Sequence, residues 1–218
     1  MNLDDLIRQL ELSRDPERAV GMSAYMRNQF PFLGISKPVR AELCKPFMKA
    51  VKQDGRIDWS VVDALWDKPE REFQYVALEY IVASRGSLSL ADLAKVKSLI
   101  STKSWWDTVD GFPKPVSHIV QQHPEARKTM VDWSLDPDFW VRRSAIIHQL
   151  PLRAATDTDL LETAILNNLG QREFFINKAI GWSLREYSKT NAGWVRSFID
   201  RHRAALSPLS IREGSKYV

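Results

Sequence analysis

The sequence predicts an all-α protein built of stacked helix pairs, an α-solenoid. Three observations predict it. Apolar residues recur at three- and four-residue spacing in nearly every segment long enough to judge. No two alternating segments read as paired strands. Similar strings also recur at a period near 34 residues: Trp106, Trp140 and Phe174 are 34 apart, as are Ala145 and Ala179, and Ala77 lies 68 before Ala145. The strings "EREFQYVAL", "DFWVRRSAI" and "REFFINKAI" each open with acidic and aromatic residues and then place a small Ala where a neighbouring helix would pack. A compact all-α bundle is the alternative architecture.

Taken in order, "LDDLIRQLEL" sets Leu3, Leu6, Ile7 and Leu10 on one stripe. "SKPVRAELCKPFMKAV" offers Ser36 as an N-cap and Val39, Leu43 and Phe47 as an apolar face. "DWSVVDALWDKP" ends at Pro69, where "PEREFQYVALEYIVAS" begins with proline in its first turn. "LADLAKVKSLI", "PEARKTMVDWSL", "DPDFWVRRSAIIHQL", "TDTDLLETAILNNL", "REFFINKAIGWSLREYSK" and "WVRSFIDRHRAAL" follow with the same period. "LSPLSIREGSKYV" closes the chain as a short basic helix. Gly, Pro, Asp and Asn fall mostly between these segments, and no long linker interrupts them. One continuous domain over residues 1–218 is expected.

Composition narrows the function. Hydrophobic residues make up 44% and charged residues 27%, as in ordinary globular proteins. A net charge of +4 and a pI near 9.2 lean weakly towards a nucleic-acid partner. A single cysteine, Cys44, excludes an internal disulfide and fits a reducing compartment. The first twenty residues are charged throughout and carry no signal-peptide hydrophobic region. No apolar run approaches the ~20 residues that span a membrane. A cytoplasmic protein, with no membrane association, is expected.

Standard catalytic motifs are missing. The four His have no metal-ligand spacing, a lone Cys builds no cysteine-rich zinc site, and no glycine loop cradles phosphates. No metal and no cofactor are expected. "KSWWDTVD" stands out instead, with two indoles and two acids in six residues. Trp106 and Asp110 are four apart, so a helix places the carboxylate one turn from the indole, while Trp105 and Asp107 point elsewhere. The plainer alternative is a core indole beside a capping acid. Trp140 and Arg143 share a face in "DFWVRRSAI", a pairing that suits phosphate and sugar recognition. Lys178, Trp182 and Arg185 cluster on one side of the helix in "FINKAIGWSLREYSK". Gly181 within that helix costs roughly 1 kcal/mol against Ala, which calls for a close approach by a backbone or a ligand.

"FPFLGISKPVR", "LWDKPEREFQYVAL", "TKSWWDTVD", "FWVRRSAI", "REFFINKAIGWSLREYSKTN" and "LSPLSIRE", in this order and spacing, resemble the AlkD family of bacterial alkylpurine DNA glycosylases. The resemblance runs from about Met22 to Ile211. It implies HEAT-like helix pairs curved into a basic concave face that holds double-stranded DNA. It implies excision, by a monomer, of cationic purines alkylated at the 3- or 7-position. The family's catalytic acid corresponds to Asp110, its two cleft tryptophans to Trp106 and Trp182, its lesion-side arginine to Arg143, and a tyrosine near the cleft to Tyr25. Trp140, Lys178, Arg185 and Arg212 complete the expected DNA-facing set. Two prolines after Asp110 and a chain that stops soon after "SIRE" depart from the family pattern. Two other functions compete: a module of the same fold that binds damaged or branched DNA without cutting, and a protein–protein scaffold. Neither needs Asp110.

Overall fold

The computed structural model describes residues 1–218 and contains helices only, with no strand. The all-α expectation is met. Packing divides the chain into two compact units, 1–88 and 89–218.

The first unit holds α1 (Leu3–Leu12), α2 (Pro16–Tyr25), α3 (Lys37–Asp54), α4 (Trp59–Asp67) and α5 (Arg71–Ala83). α1 buries Leu6 and Leu10, and the Asn2 side chain caps its start. α3 turns Arg40, Cys44, Phe47 and Val51 inward, while Val39, expected on that face, is 47% exposed. Of the expected face, Phe47 is buried and Leu43 half-buried, and Arg40 and Cys44 take the inward positions beside them. α5 starts at Arg71 with Glu70 as its cap, so Pro69 lies before the helix rather than in its first turn.

The strings "FPFLGI" and "EREF" meet here. The buried Glu72 carboxylate accepts the backbone N–H groups of Leu33, Gly34 and Ile35 at 2.9, 2.9 and 3.0 Å. A fully buried carboxylate is tolerable only with such partners. Gly34 sits at φ +89, where a Cβ would lie 2.0 Å from the Asp15 carbonyl oxygen, so only glycine lets this loop dock. Arg71 stacks its guanidinium 3.8 Å from the Phe30 ring centre.

The second unit holds α6 (Leu93–Ile100), α7 (Trp106–Val109), α8 (Pro113–Gln122), α9 (Ala126–Ser134) and α10 (Phe139–Ile147). It continues with α11 (Thr158–Leu166), α12 (Phe174–Ser188), α13 (Ala192–His202) and α14 (Pro208–Gly214). α9 packs on α10 and α11, α10 on α11 and α12, and α12 on α13 and α14. Contact with both the next helix and the one after it is the pattern of stacked helix pairs. The recurring Ala145 and Ala179 are buried at helix contacts, and so is Ala77 in the first unit. α2 and α8 had no clear sequence signal. In α8, Pro113 and Pro115 occupy the first turn, where backbone N–H groups have no helical partner to lose.

Gly181 is explained by packing. α14 lies so close to α12 that a Cβ there would come 2.6 Å from the Glu213 Cβ and 3.1 Å from the Ser210 carbonyl oxygen. Gly214 returns the fit, its missing Cβ facing Leu184.

His148, just past α10, is fully enclosed, with Nδ1 2.7 Å from the Ala145 carbonyl oxygen. Burial pushes its pKa down from 6.5 to about 4. The native ring therefore stays neutral where the unfolded ring takes a proton, and stability is lost as pH falls from about 6.5 towards 4. The loss from this residue is on the order of 3 kcal/mol, at about 1.36 kcal/mol per pH unit. Denaturant melts at pH 7 and pH 4.5 should show a steeper loss for the native protein than for His148→Gln. Equal losses would remove this role.

Candidate active site

Asp110 and Arg143 form the centre of the site. α7 is a single turn. Trp105 precedes it in extended conformation (φ −159, ψ 161), and Asp110 closes it, its N–H donating to the Trp106 carbonyl at 3.0 Å. That turn sets Trp106 one helical step from the carboxylate. A helix this short does not hold itself. Tertiary contacts hold it: Trp105 packs edge-on against Phe175 at 5.2 Å and tilted against Trp140 at 5.8 Å. Phe175 and Trp140 are 4.8 Å apart, and Phe139 adds a fourth ring 4.6 Å from Trp140. Such offset and edge-on pairs each contribute about 0.5–1.5 kcal/mol beyond area burial.

Arg143 projects from α10 and grips Asp110 with two parallel bonds. Its Nε donates to Oδ1 and its Nη2 to Oδ2, both at 2.8 Å. Its Nη1 donates to the Phe175 carbonyl of α12 at 2.5 Å. α7, α10 and α12 thus converge on one carboxylate. The arginine side chain is 3% exposed and that of Asp110 18%. Burial pushes the Asp110 pKa up; the hydrogen bonds and charge of Arg143 oppose this, and the nearby Asp107 adds to it.

Two sequence-based expectations change here. Trp105, expected off the face shared by Trp106 and Asp110, packs against Trp140 and Phe175. Trp140 is 7% exposed and spends its faces on Phe139, Trp105 and Phe175, so it is a packing residue rather than a DNA contact. Arg143 is occupied on three nitrogens inside the protein, and a phosphate contact would have to displace one of these bonds.

The other expected residues are placed as follows. Trp106 and Trp182 are half-buried, and Trp182 rests against the apolar core of the second unit. Lys178 and Arg185 reach the same carboxylate, Glu213 of α14, at 3.1 and 2.7 Å, and Lys216 joins them at 3.1 Å. The Lys178 and Lys216 hydrogen bonds hold the Glu213 carboxyl below its usual range. Lys178 and Arg185 keep 38% and 23% exposure, and Arg212 is exposed. Tyr25 ends α2 in the first unit and is 71% exposed. Sequence reasoning missed Phe175, whose carbonyl anchors Arg143, although the string "REFFINKAI" contained it.

A family model described as DNA alkylation repair enzyme matches residues 6–218. The chain belongs to this family. A solved structure similar to the chain is a predicted DNA alkylation repair enzyme from Enterococcus faecalis, 40% identical, covering 94% of this chain and 96% of its own, with a TM-score of 0.85. No match was found among curated proteins. Membership of a DNA alkylation repair family makes DNA the partner and repair the process. No helix is long and apolar enough to cross a membrane.

Proposed function

We propose that the chain is a monofunctional DNA glycosylase that hydrolyses the N-glycosidic bond of cationic 3- or 7-alkylated purines in duplex DNA. One observation carries the proposal: a mostly buried aspartate, aligned by a two-pronged arginine yet still 18% exposed, in a chain of a DNA alkylation repair family.

A purine alkylated at the 7-position already carries positive charge. When the bond from its ring nitrogen to the sugar C1′ breaks, the electron pair goes to the base, which leaves neutral. No general acid is required. Positive charge then grows on the deoxyribose, and the Asp110 carboxylate opposes it. Each Asp110 oxygen uses one lone pair on Arg143 and has another for a water, whose oxygen attacks C1′ as its proton passes to the carboxylate. Trp106 and Trp182 offer indole faces to the electron-poor sugar. Lys178, Arg185 and Arg212 of the second unit, and the exposed Tyr25 of the first, are the residues proposed to meet the DNA backbone.

Single-turnover assays of the native protein on duplexes with one 7-methylguanine or one uracil test this. Release of the methylated base with uracil left in place is expected, since a neutral leaving base needs protonation and the proposed mechanism includes no general acid. Binding without release of either base would favour a non-catalytic DNA-binding module.

A further inference from the structure

We infer that Lys114, Arg153 and Lys189 form a second phosphate-binding groove that takes the sugar–phosphate backbone of the duplex. The inference rests on the proposed action on DNA. These residues line a groove of about 680 Å³ in the second unit together with Leu150, Pro151, Thr190 and Glu186. Its volume lies in the range of ligand clefts, about 300–1,000 Å³. Lys114 and Arg153 are exposed and form no ion pair. Lys189 is bonded to Glu186 at 2.7 and 2.8 Å, and Arg185 also approaches Glu186 at 3.8 Å. Glu186 therefore offsets only one of the rim's three cations.

Local physics does not explain two of these cations. Lys114 lies in the first turn of α8, the positive end of the helix dipole, where a cation is disfavoured. Arg153 adopts φ +51, a left-handed conformation uncommon for any residue but glycine and asparagine. Strained backbone of this kind clusters at binding sites. Lys189 alone has an ordinary explanation, at the C-terminal end of α12.

The groove also stands in a telling place along the chain. Lys114 is four residues past Asp110, Arg153 follows the helix that carries Arg143, and Lys189 follows the helix that carries Trp182. Each rim cation thus lies within about six residues of the end of an element of the candidate active site: in the first turn of α8, in the turn after α10 and at the end of α12. A duplex strand gripped there would lie against segments that continue the chain from those elements.

Binding of an undamaged duplex, followed by fluorescence anisotropy across a salt series, tests the groove without using catalysis. The variant is Lys114→Gln with Arg153→Asn, asparagine being chosen because it accepts positive φ. The control is Lys128→Gln with Arg203→Gln, which removes the same charge from exposed positions outside the groove. Loss of two phosphate contacts should lower the slope of log affinity against log salt by about 1.8 and weaken binding at least tenfold, with the control changed less than twofold. Unchanged thermal melting of both proteins confirms that they are folded. Equal weakening of variant and control, or none in either, overturns the groove while leaving the proposed activity standing. A native protein that binds no duplex at any salt overturns both.

Discussion

Asp110→Asn is expected to slow release of 7-methylguanine about 100-fold or more, the scale set by removing a single preorganised electrostatic stabiliser. Asparagine keeps the shape and one acceptor for Arg143 but removes the charge that opposes the sugar cation. Binding to an uncleavable lesion duplex should change little. Single-turnover rates at saturating protein separate the two effects. Release at the native rate would make Asp110 structural and end the proposed mechanism.

Arg143→Met should produce the second large effect. Methionine fills much of the arginine's volume but leaves the Asp110 carboxylate without its partner. Unpairing a buried ion pair costs about 3 kcal/mol or more, and the low end applies to a carboxylate that is 18% exposed. The pH dependence distinguishes positioning from mere structural support. Burial already raises the Asp110 pKa, and Arg143 is the main influence against it. Without Arg143 that pKa rises further, so the ionised, active form appears only at higher pH. The variant should be slow at pH 7 and recover part of its rate as pH rises beyond the point where the native enzyme levels off.

Stability must move the opposite way. A carboxyl whose pKa is raised by folding stabilises the native state below its unfolded pKa, and that contribution is lost as pH rises through the folded value. Arg143→Met should therefore be more stable at pH 5 than at pH 8, relative to the native protein. Adding Asp110→Asn should cancel most of that difference without restoring excision, because coupled neighbours are not additive. The salt slope for undamaged duplex should not change, since the guanidinium is spent inside the protein. A lowered slope would instead place Arg143 on a phosphate.

Much of this molecule was legible from residue spacing. Long amphipathic segments such as Phe174–Ser188 announce themselves because one stripe of a helix must be buried. Short elements do not. α7 and α8 are fixed by neighbours and by prolines whose tolerance depends on their being in a first turn, and no periodicity reveals that. The four-residue step from Trp106 to Asp110 was readable because it is local. The fork from Arg143 to Asp110 spans 33 residues, and spacing carries no sign of it. Trp140 illustrates the reverse error. An indole one turn from an arginine suggests recognition, yet three neighbouring rings enclose it. Gly181 was read as a point of close approach and is one, but its partner Glu213 lies 32 residues away and spacing carries no sign of it.

α7 is only one turn long, and this governs what would be needed to transplant the site. A designer who grafts "KSWWDTVD" onto another scaffold carries over the acid and both indoles but none of what orients them. The carboxylate takes its direction from an arginine on α10, and that arginine from a carbonyl on α12. The smallest portable unit is therefore three helices in fixed register, with Trp105, Trp140 and Phe175 as the joint between them.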